Sequence, residues 1–153
     1  MKRSAGILMF RVTNAVPEFF LVHPGGPFFK NKDEGVWTIP KGEYNDEEEA
    51  LSAAKREFFE ETGIDVAGPF IQLTPIRQKS GKWVSAWAVQ GDIDPDKVRS
   101  NKVTIEWPPK SNKLREFPEI DRAGWFAREE ALLKLNPAQT AFVDELTSII
   151  HSR

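Results

Sequence analysis

Apolar side chains along the chain fall into two spacings. "SAGILMFRV" and "EFFLVHP" are short, nearly continuous apolar runs and predict two strands joined by a turn containing Asn14 and Pro17. "VWTIP" is a short extended piece that Pro40 closes, and Gly42 permits the loop that follows. "PFIQLTPIRQ" and "KWVSAWAVQGD" are rich in β-branched and aromatic residues and read as strands, with "RAGWF" a further short one. Helical spacing governs three other segments. One follows Gly42, with Asn45 as N-cap, Glu48 completing a capping box and Gly63 placed to end it at C′. "REEALLKL" is a short helix. The last begins at Asn136 as N-cap with Pro137 at N1, and its stripe is Phe142, Val143, Leu146, Ile149 and Ile150. Strands interrupted by one central and one terminal helix predict an α/β/α architecture around a mixed sheet. No repeat or linker divides the chain, so residues 1–153 read as a single domain.

Composition narrows the class without changing that outline. An apolar fraction of 40% and a charged fraction of 29% are those of an ordinary globular protein. No apolar run approaches the roughly 20 residues that span a bilayer. "MKRSAGILMFRV" mimics a signal peptide at its tip, but Arg11 cuts the run short and a strand explains it better. With no cysteine, neither a disulfide framework nor a thiolate metal site can form. That is compatible with a reducing cytoplasm, which is the expected location. A net charge of −2 gives no general case for a nucleic-acid or membrane partner.

Charge is unevenly placed. Eight acidic residues lie between Glu43 and Glu61 against Lys55 and Arg56 alone, a local −6, so the remainder of the chain carries +4. On a helical wheel Glu57, Glu60 and Glu61 share one face within a single turn, bordering an apolar stripe that contains Ala54 and Phe58. Like charges so spaced repel, and partial burial raises their pKa values. Arg56 can pair with Glu60, four residues on, but one guanidinium cannot neutralise three carboxylates. Hard oxygen donors without His or Cys suit Mg²⁺ or Mn²⁺. Spacing alone leaves a second reading open, in which these are structural ion pairs on a solvated helix face. Glu47 and Glu49 fit that reading, as helix-dipole and solubility residues.

The complete spacing is more specific. Gly42, then Glu48, then Arg56-Glu57-Phe58-Phe59-Glu60-Glu61-Thr62-Gly63-Ile64 resembles a full Nudix box over residues 42–64, and "WTIPKG" and "EIDRAGWF" resemble the family's flanking segments. The resemblance implies the Nudix α/β/α sandwich, with the box as a loop-helix-loop, and hydrolysis of a diphosphate linkage with Mg²⁺, Mn²⁺ being a possible substitute. Carried onto matching positions, Glu57 and Glu61 are the leading metal ligands, with Glu60 a further one and the Lys41 carbonyl the backbone ligand. Glu57 is also the candidate general base. Arg56 and Glu48 orient the other carboxylates, while Gly42 and Gly63 support the box. A non-catalytic Nudix-fold binding or sensor module is the alternative, and it is expected to have lost box carboxylates; here all are present.

Outside the box the substrate is less legible. Residues 97–115 hold six basic residues and one acidic one, Glu106, and read as a polar connection that is either solvated or a holder of distal phosphates. Trp107 is the candidate for stacking on a base, ahead of Trp83 and Trp87, which share a strand face. Glu119 is the candidate extra metal ligand, with Glu116 its competitor. His23 is either a phosphate donor or merely exposed. Lys79 stands where many ADP-ribose pyrophosphatases have proline, and the only tyrosine is Tyr44. The resemblance is greatest to MutT-type and diadenosine-polyphosphate-type members. It implies a nucleoside triphosphate or dinucleoside polyphosphate substrate, bound in part by Lys41.

Overall fold

A computed structural model describes residues 2–153. The strand β1 (Arg3–Thr13) is buried without a break from Ser4 to Phe10, the mark of a strand covered on both faces. β6 (Trp83–Gln90) runs parallel to it, and β2 (Val16–Pro24) runs antiparallel along part of its other edge. β3 (Lys41–Tyr44) takes the rest of that edge: Arg3 to Gly6 of β1 pair with β3, and Phe10 to Thr13 pair with β2. β9 (Ile120–Ala127) extends the sheet beyond β2, while β4 (Phe70–Gln72) and β5 (Ile76–Arg77) pair in succession with β6. The result is the mixed sheet expected from the sequence.

Alternation along β1 divides the core in two. Leu8 and Phe10 point to one face, where α2 (Arg128–Lys134) and α3 (Thr140–His151) bury Ala131, Phe142, Val143 and Leu146. Ile7 and Met9 point to the other, where α1 (Ala50–Thr62) packs Ala53, Ala54 and Phe58. Asn136 caps a 3₁₀ turn, Pro137–Gln139, that leads into α3. Helices on both faces of a mixed sheet make the α/β/α layering.

Three local expectations change. The β1–β2 turn is the two-residue Asn14–Ala15, both at positive φ (52° and 66°), as a tight right-twisted hairpin needs, and Pro17 lies inside β2 opposite Val12. Helix α1 starts at Ala50, capped by Glu49 accepting from the Ser52 amide at 3.2 Å. Asn45 instead closes a turn before it, accepting from the Glu47 amide at 3.0 Å. Its other end is as expected: Gly63 sits at φ 76° and donates to the Phe59 carbonyl. Finally, residues 97–115 contain β7 (Lys102–Glu106), which pairs with β8 (Leu114–Pro118) in a separate hairpin.

Candidate active site

The Nudix-box segment is built around a close approach of β3 to α1. A Cβ on Gly42 would lie 1.9 Å from Glu57 Oε1, so only glycine leaves the carboxylate room there. Glu57 and Glu61 are 7% and 5% exposed, beside fully buried Phe58. One helical turn separates them, so both point under β3. The Lys41 amide donates to Glu61 Oε1 at 3.3 Å.

Arg56 organises the rest of the segment. Its Nε and Nη2 donate to Glu48 at 2.7 and 2.9 Å, a two-point grip that fixes the guanidinium plane. Its Nη1 then reaches Glu57 Oε2 at 2.6 Å and both oxygens of Glu60 at 3.2 and 3.1 Å. Glu60 thereby shares Arg56 Nη1 with Glu57 and stands outside the group that Glu57 forms with Glu61 and Glu119.

The third member of the cluster arrives from far along the chain. Glu119, at the junction of β8 and β9, has its amide bonded to the Asn101 carbonyl and its carbonyl to the Gly25 amide, each at 2.8 Å. Asn101 and Arg99 in turn donate to the Glu60 and Thr62 carbonyls at the end of α1, each at 2.8 Å. The helix end thus fixes the segment that carries Glu119, and its orphan carbonyls are satisfied by the same contact. One oxygen each of Glu57, Glu61 and Glu119 lie within 4.8 Å of one another.

These carboxylates are electrostatically strained. Burial pushes the Glu61 carboxyl up to about 9, helped by the charge of Glu119 and by a hydrogen bond between the two carboxyls. Burial also raises Glu57, with Arg56 opposing. Three oxygen donors with no nitrogen or sulfur, whose repulsion Arg56 beside Glu57 and the Lys41 ammonium near Glu61 only partly offset, fit a hard divalent metal. Among the described residues this is the group of three such side chains that converges on one point.

Other candidates fall elsewhere. Glu116 pairs opposite Thr104 in the exposed hairpin, leaving Glu119 alone to enter the cluster. His23 is neither exposed nor free: it is fully buried in β2, with Nδ1 2.7 Å from Asp121 Oδ1 and Nε2 2.7 Å from the Lys32 carbonyl. Trp87 packs against the α1-side core, Trp83 is exposed, and Trp107 stands in the hairpin against Phe28. Sequence reasoning missed Lys30, which is far from the hairpin along the chain and which the pairing of β2 with β9 brings beside it, and Asp121, in the strand that follows directly on β8. Among the described residues no helix is long and apolar enough to cross a membrane.

Known proteins bear on this arrangement. No curated protein matches the chain. Solved structures do: a C. elegans Ap4A hydrolase binary complex at 18% identity over all of both chains, TM-score 0.66. The NUDIX domain of Shewanella oneidensis NrtR, complexed with ADP ribose, matches at 14% identity over 97% of this chain and 87% of that one, TM-score 0.64. A MutT/Nudix family protein from Listeria innocua matches at 18% over 98% and 94%, TM-score 0.63. At such identities these likenesses establish the fold. The NUDIX domain family model matches residues 2–146, nearly the whole length including the box, and the chain therefore belongs to the Nudix family.

Proposed function

We propose that the chain, as one Nudix domain, is a divalent-metal-dependent pyrophosphohydrolase of nucleoside triphosphates or dinucleoside polyphosphates. The observation that carries this is the convergence of Glu57, Glu61 and Glu119, the first two of them buried. Those three side chains and the Lys41 carbonyl would hold Mg²⁺, or Mn²⁺ in its place. Glu60, gripped by Arg56, would join them only by letting that contact go. When bound, the ion supplies charge neutralisation for the phosphates and acidifies coordinated water.

The residues themselves account for the remaining chemistry. Glu57 is the general base: Oε1, directed past Gly42, would take the proton of the attacking water, while Oε2, oriented by Arg56, keeps a lone pair for the metal. The water oxygen forms a bond to phosphorus, the bridging P–O bond breaks, and its electron pair leaves with the departing phosphate. Arg56 and Glu48 act as positioning residues. The Lys41 ammonium, largely buried and held near Glu61, would be the cation that meets a phosphate oxygen here. Retention of every box carboxylate argues against the sensor alternative. The test is product identification for ATP and diadenosine tetraphosphate, with Mg²⁺ and with excess EDTA. Release of phosphate, pyrophosphate or mononucleotides only with metal is expected, and unchanged turnover in EDTA would refute the metal assignment.

A further inference from the structure

Between the loop after β2 and the β7–β8 hairpin lies a cleft of about 510 Å³, within the ordinary range for small-molecule sites. Trp107, Phe117, Lys30 and Arg115 line it, and the two cationic side chains belong to exposed residues. Trp107 is braced by Phe28 at 86°, ring centroids 5.4 Å apart, so its ring is held rather than loose. Arg115 lies over Phe117 at 5.6 Å. Among the described residues no carboxylate stands within 4 Å of the Lys30 or Arg115 charge.

The hairpin's own acid does not quench them. Glu106 spends its two oxygens on the turn, accepting from the Lys110 amide at 3.0 Å and the Asn112 amide at 3.3 Å. Asp121 also lines the cleft, but its Oδ1 is engaged by His23. The rim formed by Gly26 and Pro118 adjoins the acidic trio: the residues next to them, Gly25 and Glu119, bond to each other at 2.8 Å. A brace for the hairpin would call for buried, paired charges. Exposed, unpaired cations beside a held aromatic ring call for a ligand with a π face and negative charge.

We propose that this cleft binds a nucleotide, its base stacked on Trp107 and its polyphosphate drawn by Lys30 and Arg115 toward Glu119. The inference rests on the pyrophosphohydrolase reading for what happens to the phosphates, but binding is measurable without turnover. In excess EDTA, calorimetry would compare ATP with inorganic triphosphate. Trp107→Ala should weaken ATP by about 5- to 100-fold, the range for losing one stacked base, and leave triphosphate unchanged. Trp107→Phe should restore most of the ATP affinity, whereas Lys30→Gln and Arg115→Gln should weaken both ligands. An unchanged ATP affinity in Trp107→Ala overturns the proposal. So does an equal loss for both ligands in that variant, which would mean hairpin collapse. ATP binding of the expected pattern without any Mg²⁺-dependent hydrolysis sustains the cleft and sinks the hydrolase reading; hydrolysis with a Trp107-independent ATP affinity does the reverse.

Discussion

Replacing Glu61 by Gln should make the metal-free protein more stable and the enzyme inactive. Glu61 is 5% exposed, and its carboxyl is raised from the usual 4.5 to about 9. A raised folded value has a definite sign. The favourable contribution is fully present below about 4.5, where folded and unfolded chains both hold the proton, and is lost as pH rises through about 9. At pH 7 the folded chain still holds a proton the unfolded chain has released. Some 2.5 pH units of mismatch at about 1.4 kcal/mol each set a ceiling of about 3–4 kcal/mol. Water reaching the site lowers this, so about 1–3 kcal/mol is expected, or roughly 3–10 °C in Tm for a chain of this size.

Thermal melts in EDTA at pH 4.5, 7 and 8.5 read this directly. The wild type and Glu61→Gln should melt together at the lowest pH and separate progressively above it, with the variant higher. Adding Mg²⁺ at about 100 times its Kd should return about 2.7 kcal/mol to the wild type and much less to the variant, which has lost a ligand. A variant that melts below the wild type at pH 8.5 without metal would refute this, as would a gap between them that does not change with pH.

Further outcomes follow from the same geometry. Glu57→Gln should reduce kcat by roughly two to four orders of magnitude in a folded protein. Glu49→Gln removes the same charge from the helix cap and should cost only about 0.3–1 kcal/mol of stability; steady-state kinetics beside melts separates the two. Gly42→Ala places a methyl group where Glu57 Oε1 now lies, 1.9 Å from it. It should depress kcat at least about tenfold, out of proportion to any Tm loss, as expected when a positioned base is displaced. Gly25→Ala puts a Cβ 2.0 Å from the Pro118 carbonyl, one residue from Glu119, and should raise the Mg²⁺ concentration giving half-maximal rate. Full activity at unchanged Mg²⁺ would show that Glu119 needs no such tether.

How much of this could be read from residues alone depends on where the information lies. The pairing of Glu57 with Glu61 was legible, because helical spacing puts both on one face and Phe58 marks that face as bordering the core. The presence of Glu119 beside them was not a matter of spacing. It depends on a return of the chain from β7 and β8 and on backbone bonds to Asn101 and Gly25, which belong to no local pattern. The hairpin itself left a faint trace. Val103 and Ile105 alternate with Lys102, Thr104 and Glu106, a period of two, and the following Pro-Pro-Lys-Ser-Asn is turn-forming. Six basic residues hid that alternation, because a strand so short and half-buried carries little apolar signal.

The displaced helix start has a sharper cause. Asn45 and Glu48 have the spacing of a capping box, and on local grounds the helix would begin there. A helix running from that point would set Glu48 and Arg56 eight residues apart on one axis, about 12 Å of rise, too far for any bond between them. The observed start at Ala50 leaves Glu48 in the preceding loop, free to fold back onto Arg56 at 2.7 and 2.9 Å. The loop therefore exchanges one cap for another, Glu49 in place of Asn45, and gains a two-point grip on the guanidinium that holds Glu57. Local propensity and the needs of the site point to different residues here, and the longer loop is the arrangement in which both Glu48 and Glu57 reach Arg56.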